Sequence, residues 1–112
     1  MKEFICIVLI FLSACTSQSA PDNVIPKETM SLVIADLHLA ESKVQNLTFD
    51  KADSAAYAYK TLENEIFTKY KITKAQYDTS YSYYSKNLVE FNEIYEKAID
   101  SLDLRQSKRA PL

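Results

Sequence analysis

Apolar residues fall in two patterns along this chain: one short unbroken run, then three longer stretches where they return every third or fourth position. The run, Phe4 to Leu12, has no polar face and is too short for a permanent membrane-spanning helix. Residues 16–25 follow as a small, polar stretch with Pro21 inside, a composition that reads as a tether. The periodic part starts at Pro26, where proline followed by Glu28 suits the positive pole of a helix over 27–46. Met30, Val33, Ile34, Leu37, Ala40 and Val44 form its stripe, and Leu32 and Leu39 widen it past half the girth. Such a helix is expected to sit between neighbours.

Residues 46–50 make a connector in which Thr48 or Asp50 can cap a second helix over 50–71. Its inner face reads Ala55, Ala56, Tyr59, Leu62, Ile66, Phe67 and Tyr70. Thr73 and Gln76 have the spacing of a capping box, and Ile72 with Tyr77 that of a hydrophobic staple. A third helix over 74–103 then carries Tyr77, Tyr81, Tyr84, Leu88, Phe91, Tyr95, Ala98 and Leu102, spaced four and three in turn like a heptad seam. At 1.5 Å per residue it would reach about 45 Å, against roughly 30 Å for each of the others. The expected fold is all-α, an antiparallel three-helix bundle whose long third helix overhangs, with residues 105–112 fraying as a basic tail.

Composition narrows this picture. No glycine occurs, which removes phosphate-cradling loops and most tight hairpin turns. The net charge is −2 and lacks a basic stripe, so no nucleic acid is expected as a partner. Arg105, Lys108 and Arg109 read as a solvated helix end complementing the negative pole of the macrodipole.

The apolar run closes on Leu12-Ser13-Ala14-Cys15, a lipobox, with Lys2 ahead of it. Residues 1–14 are then a cleaved signal and Cys15 the acylated first residue, tethered through residues 15–25 to a domain over 26–104. Thr16 stands where an aspartate would favour inner-membrane retention, and no acidic stretch follows to mark surface export. The expected address is the periplasmic face of the outer membrane, with the membrane reached through the lipid. Since Cys6 lies in the signal and Cys15 carries lipid, the mature domain has no thiol for a disulfide, a nucleophile or a metal.

Candidate chemistry is sparse. His38 is the sole histidine, and its neighbours Asp36, Glu41 and Ser42 make no ligand set. No serine nucleophile has a histidine and a glycine turn to serve it. Glu90, Glu93 and Glu96 read as a solvated acidic face. No catalytic residue, metal or cofactor beyond the lipid on Cys15 is expected, and the chain is expected not to be an enzyme. Tyrosine is the remaining resource. Most of its rings fall on the seams, while Tyr57 and Tyr83 fall off them and are the candidate partner surface.

Together the lipobox, Pro26 to Met30, Ala40-Glu41, Tyr70-Lys71-Ile72-Thr73, Tyr83-Tyr84 and Ile94-Tyr95-Glu96-Lys97 resemble a family of small Bacteroidetes-type lipoproteins described as a domain of unknown function. The resemblance covers about Pro26 to Leu104 and implies an address and a fold, with no catalytic residues. The segment from Tyr70 to Tyr95 is also similar to the helical N-terminal region of periplasmic chaperones of the trigger-factor and parvulin-associated kind. Two functions follow as expectations: a non-enzymatic helical interaction module docking a protein of an envelope assembly, or a tethered holdase-like chaperone for outer-membrane clients. A long uncovered seam also leaves homodimerisation open.

Overall fold

A computed structural model describes residues 21–109; the apolar run, the lipobox with Cys15 and the tether up to residue 20 lie outside the described residues. Within them the chain forms four helices and no strand: α1 (Lys27–Asn46), α2 (Ala52–Lys69), α3 (Lys74–Ser85) and α4 (Leu88–Arg109). The fold is all-α, as expected, with one helix more than the periodicity suggests.

Helix α1 is the centre of the domain and packs against both α2 and α4. Its C-terminal Val44 and Gln45 lie by Ala55 and Ala56 near the start of α2, and Asp36 meets Lys69 at α2's end, so these two helices run antiparallel. Lys27 pairs with Glu93 and Asp36 with Arg105, so α4 runs parallel to α1. Met30, Ile34 and Ala35 of α1 bury against Ile94 and Ala98 of α4 and Tyr84 of α3, while Val33 and Leu37 bury against Phe67 of α2. Ile72 and Tyr77 touch both clusters and join them into one core. Burying a side chain such as Ile94 contributes about 1.5–3 kcal/mol of transfer free energy, and with no thiol in the described residues this packing carries the fold.

The long third helix expected from the heptad seam is interrupted at Lys86 and Asn87. Asn87 caps α4: its Oδ1 accepts from the Glu90 amide at 3.4 Å and its Nδ2 donates to Glu90 Oε1 at 3.3 Å. The break lets α3 fold back along α4. The Tyr81 and Tyr95 hydroxyls come within 3.4 Å, whereas fourteen residues of continuous helix would separate them by about 21 Å. Leu88, expected on the seam, stands 71 % exposed at the turn. The overhang disappears with it.

Three boundaries also differ from expectation. The tether ends before Val24 and Ile25, both buried. Ile25 is held at both backbone polar groups: its amide donates to Ser80 Oγ at 2.8 Å and its carbonyl accepts from the Tyr84 hydroxyl at 2.6 Å. Lys51, rather than Thr48 or Asp50, occupies the N-cap of α2 and offers no side-chain acceptor. The tail does not fray from residue 105, because α4 continues to Arg109 and Arg105 bonds Asp36.

The α2–α3 junction forms as its sequence indicates. Thr73 Oγ1 accepts from the Gln76 amide at 3.0 Å, and Ile72 and Tyr77 pack on the same core. Just before it, the Lys71 amide donates to Thr68 O at 3.1 Å and the Ile72 amide to Phe67 O at 2.9 Å, a Schellman closure. That closure puts Lys71 at φ 56°, the left-handed region where a Cβ is a steric burden. In a chain without glycine, lysine carries it.

Candidate functional site

The fold-back of α3 opens a groove of about 560 Å³ between all four helices. Ile34 and Leu37 of α1 contribute its apolar floor, and Tyr59, Tyr77, Tyr81 and Tyr95 supply aromatic walls from α2, α3 and α4. His38, Glu41, Asp78, Ser82 and Ser85 add its polar lining. The rings lean on one another: Phe67 and Tyr77 at 5.4 Å between centroids, Tyr77 and Tyr81 at 6.0 Å, Tyr81 edge-on to Phe91 at 5.5 Å, and Phe91 against Tyr95 at 4.8 Å. This continuous stack holds Tyr77, Tyr81 and Tyr95 by their neighbours, and the Tyr81 and Tyr95 hydroxyls meet each other at 3.4 Å. Rigid aromatic area with a polar tip is what binding surfaces use, because it costs little conformational entropy.

Burial sets the electrostatics of these phenols. It raises the Tyr59 pKa, and the carboxylates of Glu63 and Glu41 raise it further. The Tyr77 pKa is raised too, by burial first and then by the neighbouring tyrosines and Asp78. That of Tyr95 is pushed up to about 12 by burial and its hydrogen bond with Tyr81. Tyr59, Tyr77 and Tyr95 are therefore neutral at physiological pH, able to donate or accept a hydrogen bond and unsuited to act as bases.

On the other side of α1, Asp36 is buried, and three donors converge on it, from the last residue of α2, from its C-cap and from α4. Lys69 Nζ at 2.9 Å and the Tyr70 hydroxyl at 2.8 Å reach Oδ2, and Arg105 bonds Oδ1. Burial alone would raise the Asp36 pKa; the bonds from Arg105, Lys69 and Tyr70 outweigh it and hold the carboxyl below its ordinary range. The cluster ties the ends of α2 and α4 to the middle of α1. Its acceptor is consumed by internal partners, so it is a clamp and has no free group for chemistry.

The seam residues named from sequence mostly come together in the core. Tyr84 and Ala98 are buried, and Tyr77, Phe91, Tyr95 and Leu102 pack around them. Tyr81, at 37 % exposed, belongs to the groove, and Leu88 to neither. Tyr57, 76 % exposed, and Tyr83, its ring edge-on to Tyr84 at 5.2 Å, are both exposed, and neither lines the groove. Of the acidic series, Glu90 serves the cap and Glu93 pairs with Lys27 at 3.2 Å. His38 lies edge-on to Tyr95 at 6.3 Å with Glu41 at 4.0 Å, and no cluster of metal-ligating side chains occurs among the described residues. Periodicity gives Asp36 no role beyond that of a helical neighbour of His38, although an acid inside Val33-Ile34-Ala35-Asp36-Leu37 is a signal for a buried, partnered carboxylate.

These features define an all-helical domain organised around a central helix, closed by an ion cluster on one side and open as an aromatic groove on the other. A family model described as "Domain of unknown function (DUF4296)" matches residues 21–108, and the chain belongs to that family. The match begins ahead of Pro26, in keeping with Val24 and Ile25 being part of the fold. No curated protein and no solved structure matches the chain.

Proposed function

We propose that this protein is a non-enzymatic interaction module of the bacterial envelope, anchored by lipid on Cys15 at the periplasmic face of the outer membrane, and that its tyrosine groove receives a protein partner. The observation that carries the reading is the groove itself, in which four phenols from three helices line an opening of about 560 Å³ and three of them, Tyr77, Tyr81 and Tyr95, are held by ring contacts. The lipobox supports the anchor, and a polar tether ahead of Val24 would let the domain stand off the membrane. A partner surface of Tyr57 and Tyr83 alone is less well supported, since the two do not share the groove.

The holdase reading draws on exposed apolar side chains of α4, namely Leu88, Val89, Ile99 and Leu104. At 100° per residue Leu88 and Ile99 share one side of the helix while Val89 and Leu104 point elsewhere, so they make no single cradle.

The test uses the full lipidated chain with a C-terminal tag, cross-linked in membranes. One stoichiometric envelope protein should be captured by the wild type and by Tyr57→Ser, and lost with Tyr81→Ser and with Ser82→Trp, which fills the groove from its rim; circular dichroism checks that helicity is kept. Capture that survives both groove variants contradicts the proposal, and a broad spread of unfolded clients favours the holdase. Cys15→Ala should move the protein out of the membrane fraction.

A further inference from the structure

Charge is distributed unevenly over the two sides of α1. Among the described residues no lysine or arginine lines the tyrosine groove, whose ionisable groups are Glu41, Asp78, His38 and the phenols. The pocket on the Asp36 side, by contrast, is lined by Lys43, Lys69, Arg105 and Arg109. Glu41 comes from α1 and Asp78 from α3, and Glu63 of α2 stands close behind Tyr59. Lys74 is the one lysine at this rim to form an ion pair, at 3.6 Å from Asp78 and 3.9 Å from Glu63, distances too long for hydrogen bonds. Glu41 has only the His38 ring at 4.0 Å. These carboxylates, unlike Asp36, keep their acceptor oxygens for something else.

We infer that the groove takes a cationic side chain, an arginine of an extended segment of the partner protein, whose guanidinium stacks on the phenol faces of Tyr81 and Tyr95 and is bonded by Glu41 or Asp78. This rests on the reading of the groove as a protein-binding site and adds the chemistry of its occupant. Neutral phenol rings present electron-rich faces to a cation, and the planar guanidinium can stack and hydrogen-bond at once where an ammonium group cannot. The raised Tyr59 and Tyr77 pKa values fit the same picture, because after burial the carboxylates of Glu63, Glu41 and Asp78 are among their causes: negative potential reaches into the groove. A volume of about 560 Å³ exceeds what one guanidinium fills, which favours a chain segment over a free ion.

The probe is an acetylated, amidated Arg-Arg dipeptide set against its citrulline isostere, titrated into the full chain in uncharged maltoside micelles with isotope-labelled tyrosine rings followed by NMR. The Tyr81 and Tyr95 ring signals should shift saturably with the arginine peptide, and citrulline should bind about tenfold more weakly. Glu41→Gln and Asp78→Asn, both at exposed positions, should each weaken the arginine peptide by about threefold to tenfold with helicity unchanged. Equal binding of the citrulline peptide, or shifts confined to Tyr57, overturns the inference. Spermidine binding as tightly as the peptide assigns the groove to a free polyamine and overturns the partner segment. If the membrane partner is still lost in Tyr81→Ser while neither peptide binds, the groove remains a protein site and only its cationic occupant is wrong.

Discussion

The two sides of α1 solve the placement of polar atoms in opposite ways. Around Asp36 every oxygen of a buried carboxylate is met by a donor from α2 or α4. Roughly half a turn round the same helix, the Glu41 carboxylate is exposed at the groove, with the His38 ring 4.0 Å away. A buried charge is tolerated when its partners are fixed, and fixing them here requires α2 and α4 to end at the same level of α1. The closed side therefore sets the spacing of the helices, and the open side is the surface that this spacing makes available. Stability and recognition are separated across one helix.

The largest effect should come from breaking the closed side. Asp36→Ala strands Arg105 and Lys69 beside an apolar wall and should cost about 2–4 kcal/mol in urea unfolding, less than a fully buried pair because Lys69 is largely exposed. A loss under about 0.5 kcal/mol would reduce the clamp to an ordinary surface ion pair.

Acidity sharpens the same contrast. The folded pKa of Asp36 lies below its ordinary value, so its contribution is present above that value and is lost as pH falls through the folded one. Urea midpoints should drop below about pH 4 in the wild type and drop less in Asp36→Ala. On the open side the sign reverses. Tyr95, pushed up to about 12, contributes stability below pH 10 that is lost as pH rises towards about 12. Tyr95→Phe should blunt that alkaline loss and leave the acid limb unchanged.

A smaller effect, and a gain, is expected at the α2–α3 junction that positions both sides. Lys71→Gly relieves the left-handed backbone at the Schellman closure and should stabilise by about 0.5–1 kcal/mol, the relief exceeding the added freedom of the unfolded chain. An unchanged midpoint would mean the lysine bears no strain. The smallest change belongs to Tyr57→Ser, within about 0.5 kcal/mol, because its ring is free of the core.

Much of this architecture is legible in the sequence. The wide stripe of α1 announces a helix flanked by two others, and Thr73-x-x-Gln76 marks the start of α3 to the residue. The fold-back is hidden because Tyr84, Leu88, Phe91 and Tyr95 keep heptad spacing straight through Asn87-x-x-Glu90, which the structure shows to be a cap. Val24 and Ile25 looked like tether because two apolar residues carry no period; only Ser80 and Tyr84, more than fifty positions away, make them core. The groove was beyond periodicity for the same reason. Its four phenols lie on three helices, and the turn at Asn87 brings them together. What the spacing does establish is that tyrosine is the resource of this chain.

The proposed partner occupies the open side of α1. The direct measurement places a photoreactive residue in the lipidated chain at Ser82 or Ser85 on the groove, and at Lys43 or Arg109 on the opposite side, followed by irradiation of intact cells. A partner seated in the groove gives one discrete adduct from Ser82 and Ser85, suppressed by excess arginine peptide, and none from Lys43 or Arg109. The same adduct from Lys43 and Arg109, with nothing from the groove, would contradict it.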